Sequence, residues 1–171
     1  MNYKTFKLSS VLDIQWGDTS KTKSSYVPTG HLAYSASGPD GFLPTYDYDK
    51  EGLVLSAIGA NCGVTYLAKG KWSAIKNTIC IFAISPEIDL RFFYYYTKDT
   101  RFWPKRGSAQ PFISKTDIEN IEIELPDIKI QREISQKLKS IDDQIHANLE
   151  MNETLNSLGQ SLFLKSLKSA D

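Results

Sequence analysis

KRGSAQPFISKTDIENIEIELPDIKIQREI, residues 105–134, passes through three kinds of structure. Its basic, glycine-broken start reads as a loop. IENIEIELP, ending at Pro126, alternates apolar and acidic residues, the pattern of a half-buried strand. Beyond Pro126 the chain has no proline and the single glycine Gly159, and residues 127–171 read as one long helix. Asp127 at its start is ordinary capping and dipole chemistry. Steps of four and three from Ile134 reach Leu138, Ile141, Ile145, Asn148, Asn152, Leu155, Gly159 and Leu162, a heptad seam. About 40 helical residues span about 60 Å, whereas a globule of about 126 residues is about 35 Å across. Such a helix outruns its own domain, and its apolar stripe needs a second helix. The alternative is a break at Gly159 or near Asn148–Asn152, folding the segment into a hairpin. The two asparagines either face water or sit in the seam, where they penalise wrong registers.

Residues 1–126 read as a mixed α/β globular domain. YKTFKLSSVLDIQWG starts as a strand and turns helical, with Leu8, Val11, Leu12 and Ile14 on one face and Ser9 or Ser10 as N-cap. SKTKSS is a polar, basic loop, and YSASGPDGF a turn or loop. GLVLSAIGA and NTICIFAI read as buried strands, with GVTYLAKGKW between them as a hairpin tipped by Gly70. PEIDLRFFYYYTKDT fits a helix whose Phe92, Phe93, Tyr95 and Tyr96 form a core face.

The chain has 171 residues, 41% of them hydrophobic, enough for one sizeable core. The formal net charge is zero, but charge is uneven along the chain. Residues 61–115 carry nine basic and three acidic side chains, and the next eleven carry four acids and no base. That permits a basic face on a neutral protein. Cys62 and Cys80 are not in a CxxC, and His31 and His146 lie near neither each other nor the cysteines, so a structural metal is not expected. No apolar run reaches 18 residues, and the chain reads as a soluble, cytoplasmic protein with no membrane partner.

Catalytic signatures are missing: no GxGxxG, GxxxxGK[ST], GxSxG or HExxH occurs. Binding chemistry is easier to find. Lys21, Lys23, Lys69, Lys71, Lys76, Arg101, Lys105 and Arg106 lie in loops or turns with Ser35, Ser37, Asn77, Ser108 and Gln110. Cations that position a backbone, mixed with amides and hydroxyls that read base edges, make these the candidate contacts to duplex DNA. Other readings remain open: a small enzyme with an oligomerising tail, or an assembly adaptor that keeps the helix without reading DNA.

The order of the pieces carries a resemblance. Gly107-Ser108-Ala109-Gln110 is followed by Phe112-Ile113-Ser114, Asp117-Ile118, Ile121 to Leu125-Pro126, then Gln131-Arg132-Glu133-Ile134. FKLSSVLDIQWG near the start and VLSAIGANCGVTYLAKGKW in the middle add to it. The chain resembles the specificity subunit of type I restriction-modification systems, although Pro126-Asp127 stands where a double proline is usual and Ile130 where a Glu is common. The resemblance implies a target recognition domain over 1–126. It also implies a conserved coiled-coil helix over 127–171 that spaces two recognition domains and docks methylation subunits. Only one of each is present, so the chain is similar to half a subunit. A second copy would supply the counterpart, giving a homodimer on a bipartite palindromic target. The modules also occur in some type IIB systems. The subunit would be non-catalytic and hold no cofactor. S-adenosylmethionine, ATP and Mg²⁺ would bind on the methylation and restriction subunits that partner it.

Overall fold

A computed structural model describes residues 3–168, with side chains described through Lys165. In chain order the elements are β1 (Tyr3–Lys7), α1 (Leu8–Val11), β2 (Leu12–Trp16), β3 (His31–Ser35), β4 (Gly38–Leu43), β5 (Tyr48–Asp49), β6 (Gly52–Ser56), β7 (Thr65–Ala68), β8 (Lys71–Ala74), β9 (Thr78–Ala83), α2 (Leu90–Tyr96), α3 (Lys115–Glu119), β10 (Glu122–Pro126) and α4 (Ile128–Lys168). The mixed α/β reading with a long C-terminal helix holds. By compactness the chain divides after Arg132.

The first unit is built on two four-stranded sheets, ordered β2-β9-β6-β7 and β4-β3-β8-β5, with β1 and β10 paired separately. Strands β6 and β9 run antiparallel and are buried on both faces. Leu53, Leu55, Ile79 and Ile81 point into one core with Leu8, Val11, Phe93, Trp103 and Ile118. Val54, Cys80 and Phe82 point the other way and meet Tyr34 and Trp72 of the second sheet. Alternation along a pleated strand gives each strand two apolar faces, which is why their sequences read as continuous apolar runs. Trp72 is fully buried, and its indole N–H donates to the Lys50 carbonyl at 2.8 Å.

Several expectations are corrected. Strands β7 and β8 do not form a hairpin: β7 pairs with β6, while β8 joins the other sheet beside β3 and β5. Gly70, at φ 66°, turns the chain from one sheet to the other. YSASGPDGF is mostly strand, with only Ala36 and Ser37 between β3 and β4. Pro39 is tolerated because β4 is an edge strand, where a missing N–H costs no ladder bond. The helix after β1 is four residues long and is entered from Lys7, not Ser9 or Ser10. Leu12 and Ile14 belong to β2, so their spacing is the alternation of a strand and not a helical stripe. In α2, Phe92 and Phe93 are buried, but Tyr96 is 46% exposed and Tyr95 only half-buried. Helix α3 was not foreseen; the Ser114 hydroxyl caps it by accepting the Asp117 N–H at 3.1 Å.

Gln131, in the first turns of α4, is fully buried. Its side-chain oxygen accepts the Asp89 N–H at 3.0 Å, and its amide nitrogen donates to the carbonyls of Glu87 at 2.9 Å and Pro126 at 2.8 Å. Both amide N–H groups and the amide oxygen thus have partners, which ties β10 to the start of α2. Gln131→Ala leaves buried donors and acceptors without partners and is expected to lower stability by about 2–3 kcal/mol, read by urea denaturation of the full chain.

From Glu133 the described residues of the second unit are helix alone, and α4 runs unbroken through Gly159. No hairpin forms. Its seam is open in the single chain: Ile134, Ile141, Ile145, Leu155 and Leu162 are 38 to 60% exposed, Asn148 and Asn152 are exposed, and Leu138 is half-buried. Among the described residues, no helix is long and apolar enough to cross a membrane.

Candidate nucleic-acid interface

Ile75, Lys76 and Asn77 connect β8 to β9, and the chain turns at Lys76-Asn77, with Asn77 in the left-handed region at φ 69°. Neighbouring backbone holds it on both sides. The Lys76 N–H donates to the Lys21 carbonyl at 3.3 Å, and the Asn77 carbonyl accepts the Ala57 N–H at 2.9 Å. Gly17 lets the chain leaving β2 cross this turn, because a Cβ there would lie 2.2 Å from Thr78 Oγ1 and 2.5 Å from the Ile75 carbonyl oxygen.

Two hollows meet at this turn. One, of about 390 Å³, is lined by Thr22, Lys23, Ser24, Ser35, Ala36, Ser37, Ile75, Lys76 and Asn77. The other, of about 350 Å³, is lined by Trp16, Thr19, Ile58, Lys76 and Asn77. Of the residues expected at the interface, Lys23, Ser35, Ser37, Lys76 and Asn77 therefore converge. The sequence reading missed Trp16, Thr19, Thr22, Ser24 and Ile58. Only the basic SKTKSS stretch gave a signal for part of this set, whereas Trp16 and Ile58 look like core residues.

The remaining candidates lie elsewhere on the chain. Lys69 and Lys71 flank Gly70, with the Lys71 ammonium 4.9 Å from the centre of the Tyr46 ring. Arg106 exchanges two backbone hydrogen bonds of 2.8 Å with Phe112, closing a small loop whose tip exposes Ser108 and Gln110. The Ile113 N–H donates to the Ala57 carbonyl at 2.8 Å and the Gly59 N–H to the Pro111 carbonyl at 3.0 Å, which anchors this loop beside Ile58.

Half of the candidate cations are already committed to carboxylates. Lys21 bridges Asp18 at 3.2 Å and Asp47 at 2.7 Å. Arg101 grips Asp99, and the hydrogen bonds from its guanidinium and backbone N–H hold the Asp99 carboxyl at about 2. Arg106 bonds Asp117, whose carboxyl is lowered by the Ser114 hydroxyl and then by Arg106. Lys23 pairs with Asp40 at 2.5 Å. The Lys105 stem packs against Gly63. Among the described residues, Lys69, Lys71, Lys76 and Lys105 are candidate cations that make no ion pair with a carboxylate, although Lys71 lies over the Tyr46 ring.

Asp40 holds two residues that line the first hollow, Lys23 and Ser35. Tyr26 and Ser35 each donate to it at 2.7 Å, with Lys23 as the third donor. Burial alone would raise its carboxyl, but the three donors outweigh it and hold the group below the usual value. Burial and the adjoining Asp40 charge raise the Tyr26 phenol. Because the folded carboxyl is depressed, the cluster contributes stability above the unfolded carboxylate value near 3.9 and loses it as pH falls through the folded value. Asp40→Asn should reduce stability at pH 7 and flatten the fall in stability below about pH 4, measured by urea denaturation across pH.

Burial pushes the Cys80 thiol up to about 12 and raises that of Cys62, against a weaker lowering by Lys105. Neither is poised as a nucleophile. Among the described residues, no three His, Cys, Asp or Glu side chains gather as a metal site.

Comparison with known proteins agrees with this architecture. Residues 1–157 match the family model for the type I restriction modification DNA specificity domain. The chain is 27% identical over 150 residues to a Mycoplasma pneumoniae protein named as a type I specificity subunit (S.MpnORF507P), covering 84% of this chain and 41% of that one. A second M. pneumoniae protein so named (S.MpnORF89P) is 28% identical over 96 residues, 56% of this chain and 29% of its own length. Among solved structures, the S subunit of a type I restriction-modification system from M. genitalium matches with a TM-score of 0.73 at 20% identity, over 85% of this chain and 40% of that one. The HsdS subunit from Thermoanaerobacter tengcongensis matches with a TM-score of 0.63 at 20% identity, over 85% of this chain and 38% of that one. The chain thus spans less than half the length of these relatives, and, matched by the family model over residues 1–157, it belongs to the type I restriction-modification DNA specificity domain family.

Proposed function

We propose that this chain is a non-catalytic DNA specificity module that works as a homodimer and directs partner subunits to a bipartite palindromic target. The observation that carries this reading is the open heptad seam of α4, four of whose apolar residues are more than half exposed in the single chain. A stripe of that kind on a helix of 41 residues needs a partner helix. In this reading each copy lays its own loop face on one half-site. The paired helices set the unread gap and dock the methylation subunits. S-adenosylmethionine, ATP and Mg²⁺ act on partner subunits, and the module works where the cell's DNA is, in the cytoplasm.

The seam favours one alignment. If two copies pair antiparallel about Glu150, Asn148 meets Asn152 of the second copy, Ile145 meets Leu155, Ile141 meets Gly159 and Leu138 meets Leu162. Leu149, exposed beside the seam, then meets Met151 of the second copy, and Met151 meets its Leu149. Shifting the antiparallel register by one heptad sets both asparagines against apolar residues or glycine and leaves their amides unmatched. The two Arg132 residues, each 18 positions from the centre, would be separated by roughly 54 Å.

Light scattering should give a dimer. With Asn148→Cys and Asn152→Cys combined, oxidation should cross-link the dimer efficiently; either change alone should not, and single-variant cross-linking would indicate a parallel pair. Methylome sequencing of cells carrying the chain with a cognate methylation subunit should show a palindromic bipartite motif. Lys76→Ala should weaken duplex binding evenly across sequences and reduce the salt slope by about one per half-site.

A further inference from the structure

Resting on the DNA-reading role above, we propose that Asn77 and the Trp16–Ile58 hollow beside it read one A·T base pair in each half-site. The backbone of the Lys76-Asn77 turn is fixed by its bonds to Lys21 and Ala57, and the Thr78 hydroxyl next to it donates to the Ile75 carbonyl at 2.6 Å. Both turn side chains are nevertheless exposed, and among the described residues neither has a hydrogen-bond or ion-pair partner on the protein. An amide on a rigid, solvent-facing turn gives up little conformational freedom on binding. It offers a carbonyl acceptor beside two N–H donors.

The surroundings narrow the choice of base. Adenine presents N7 as acceptor beside the N6 donor in the major groove, which an Asn amide matches with two hydrogen bonds. Guanine presents two acceptors there, one of which would face the amide oxygen. The partner of adenine carries a methyl group, and the wall next to Asn77 is apolar: Trp16, 42% exposed at the end of β2, and Ile58. On the other side lie the hydroxyls of Thr22, Ser24, Ser35 and Ser37 around the Lys23–Asp40 pair. Lys76 adjoins Asn77 without a carboxylate partner and serves as the phosphate contact that sets the depth of the turn in the groove.

Asparagine is also a common residue in left-handed turns, so the test must separate the amide from the backbone. Asn77→Gly keeps the turn, since glycine accepts φ 69° without strain, and removes the amide. Asn77→Asp also tolerates the turn but offers only acceptors, which suit the N4 amino group of cytosine. The full chain and both variants would be used to select from a randomised duplex library. The unaltered chain should select a consensus with a fixed A·T pair. Asn77→Gly should lose preference at that pair alone, by about tenfold or more, with the salt slope unchanged. Asn77→Asp should shift the preferred base there from adenine towards cytosine. An unchanged consensus for Asn77→Gly would make Asn77 a turn former only and overturn this assignment while leaving DNA reading intact. If the unaltered chain selected no consensus, DNA reading itself would fail, and this inference with it.

Discussion

Strands β6 and β9 have no face free for water. Leu53, Leu55, Ile79 and Ile81 fill one core and Val54, Cys80 and Phe82 the other, so both strands must be sandwiched. Full burial of a side chain of that size contributes about 1.5–3 kcal/mol, which makes this pair of strands the anchor of the domain. The constraint also decides where chemistry can occur. Polar side chains are excluded from the middle of these strands and gather where they end, at the Lys76-Asn77 turn and the loops beside it. A rigid two-sheet sandwich carrying irregular loops is a scaffold on which the loops can vary without disturbing the core.

Gln131 does for the start of α4 what apolar packing does elsewhere. A buried amide is costly unless every hydrogen-bonding group is matched, and here the match spans Glu87, Asp89 and Pro126. Residues up to Arg132 therefore belong to the compact unit although they are already helical. The sequence marks Gln131 only as part of a recurring string. Its three partners, two of which lie more than 40 positions away, explain why a glutamine stands there.

Charge shows the opposite balance. The basic excess over 61–115 is plain in the sequence, but its meaning changes once partners are known. Arg101 and Arg106 are bound to Asp99 and Asp117, and outside that stretch Lys21 and Lys23 are bound to Asp47 and Asp40. Pairs at the surface are screened by water and can be exchanged for phosphate at small cost. Even so, an unpaired lysine such as Lys76 is the readier donor. No spacing rule distinguishes it from the others, because Asp47 and Asp40 are 26 and 17 positions from the lysines they hold.

By itself the sequence determined the elements whose signal is local: the long helix with its heptad seam, the two buried strands and the half-buried strand β10. These rest on periodicity and turn residues, which act over a few positions. It also carried the ordered motifs that point to the family. Only the tertiary structure decided that β7 and β8 part into different sheets, that Pro39 sits in an edge strand, and that Trp16, Ile58 and Asn77 meet around one turn. Those outcomes depend on which distant strands pair and which side chains share a face. The energy that selects among such pairings is spread over contacts between residues far apart in the chain, so no short stretch contains it.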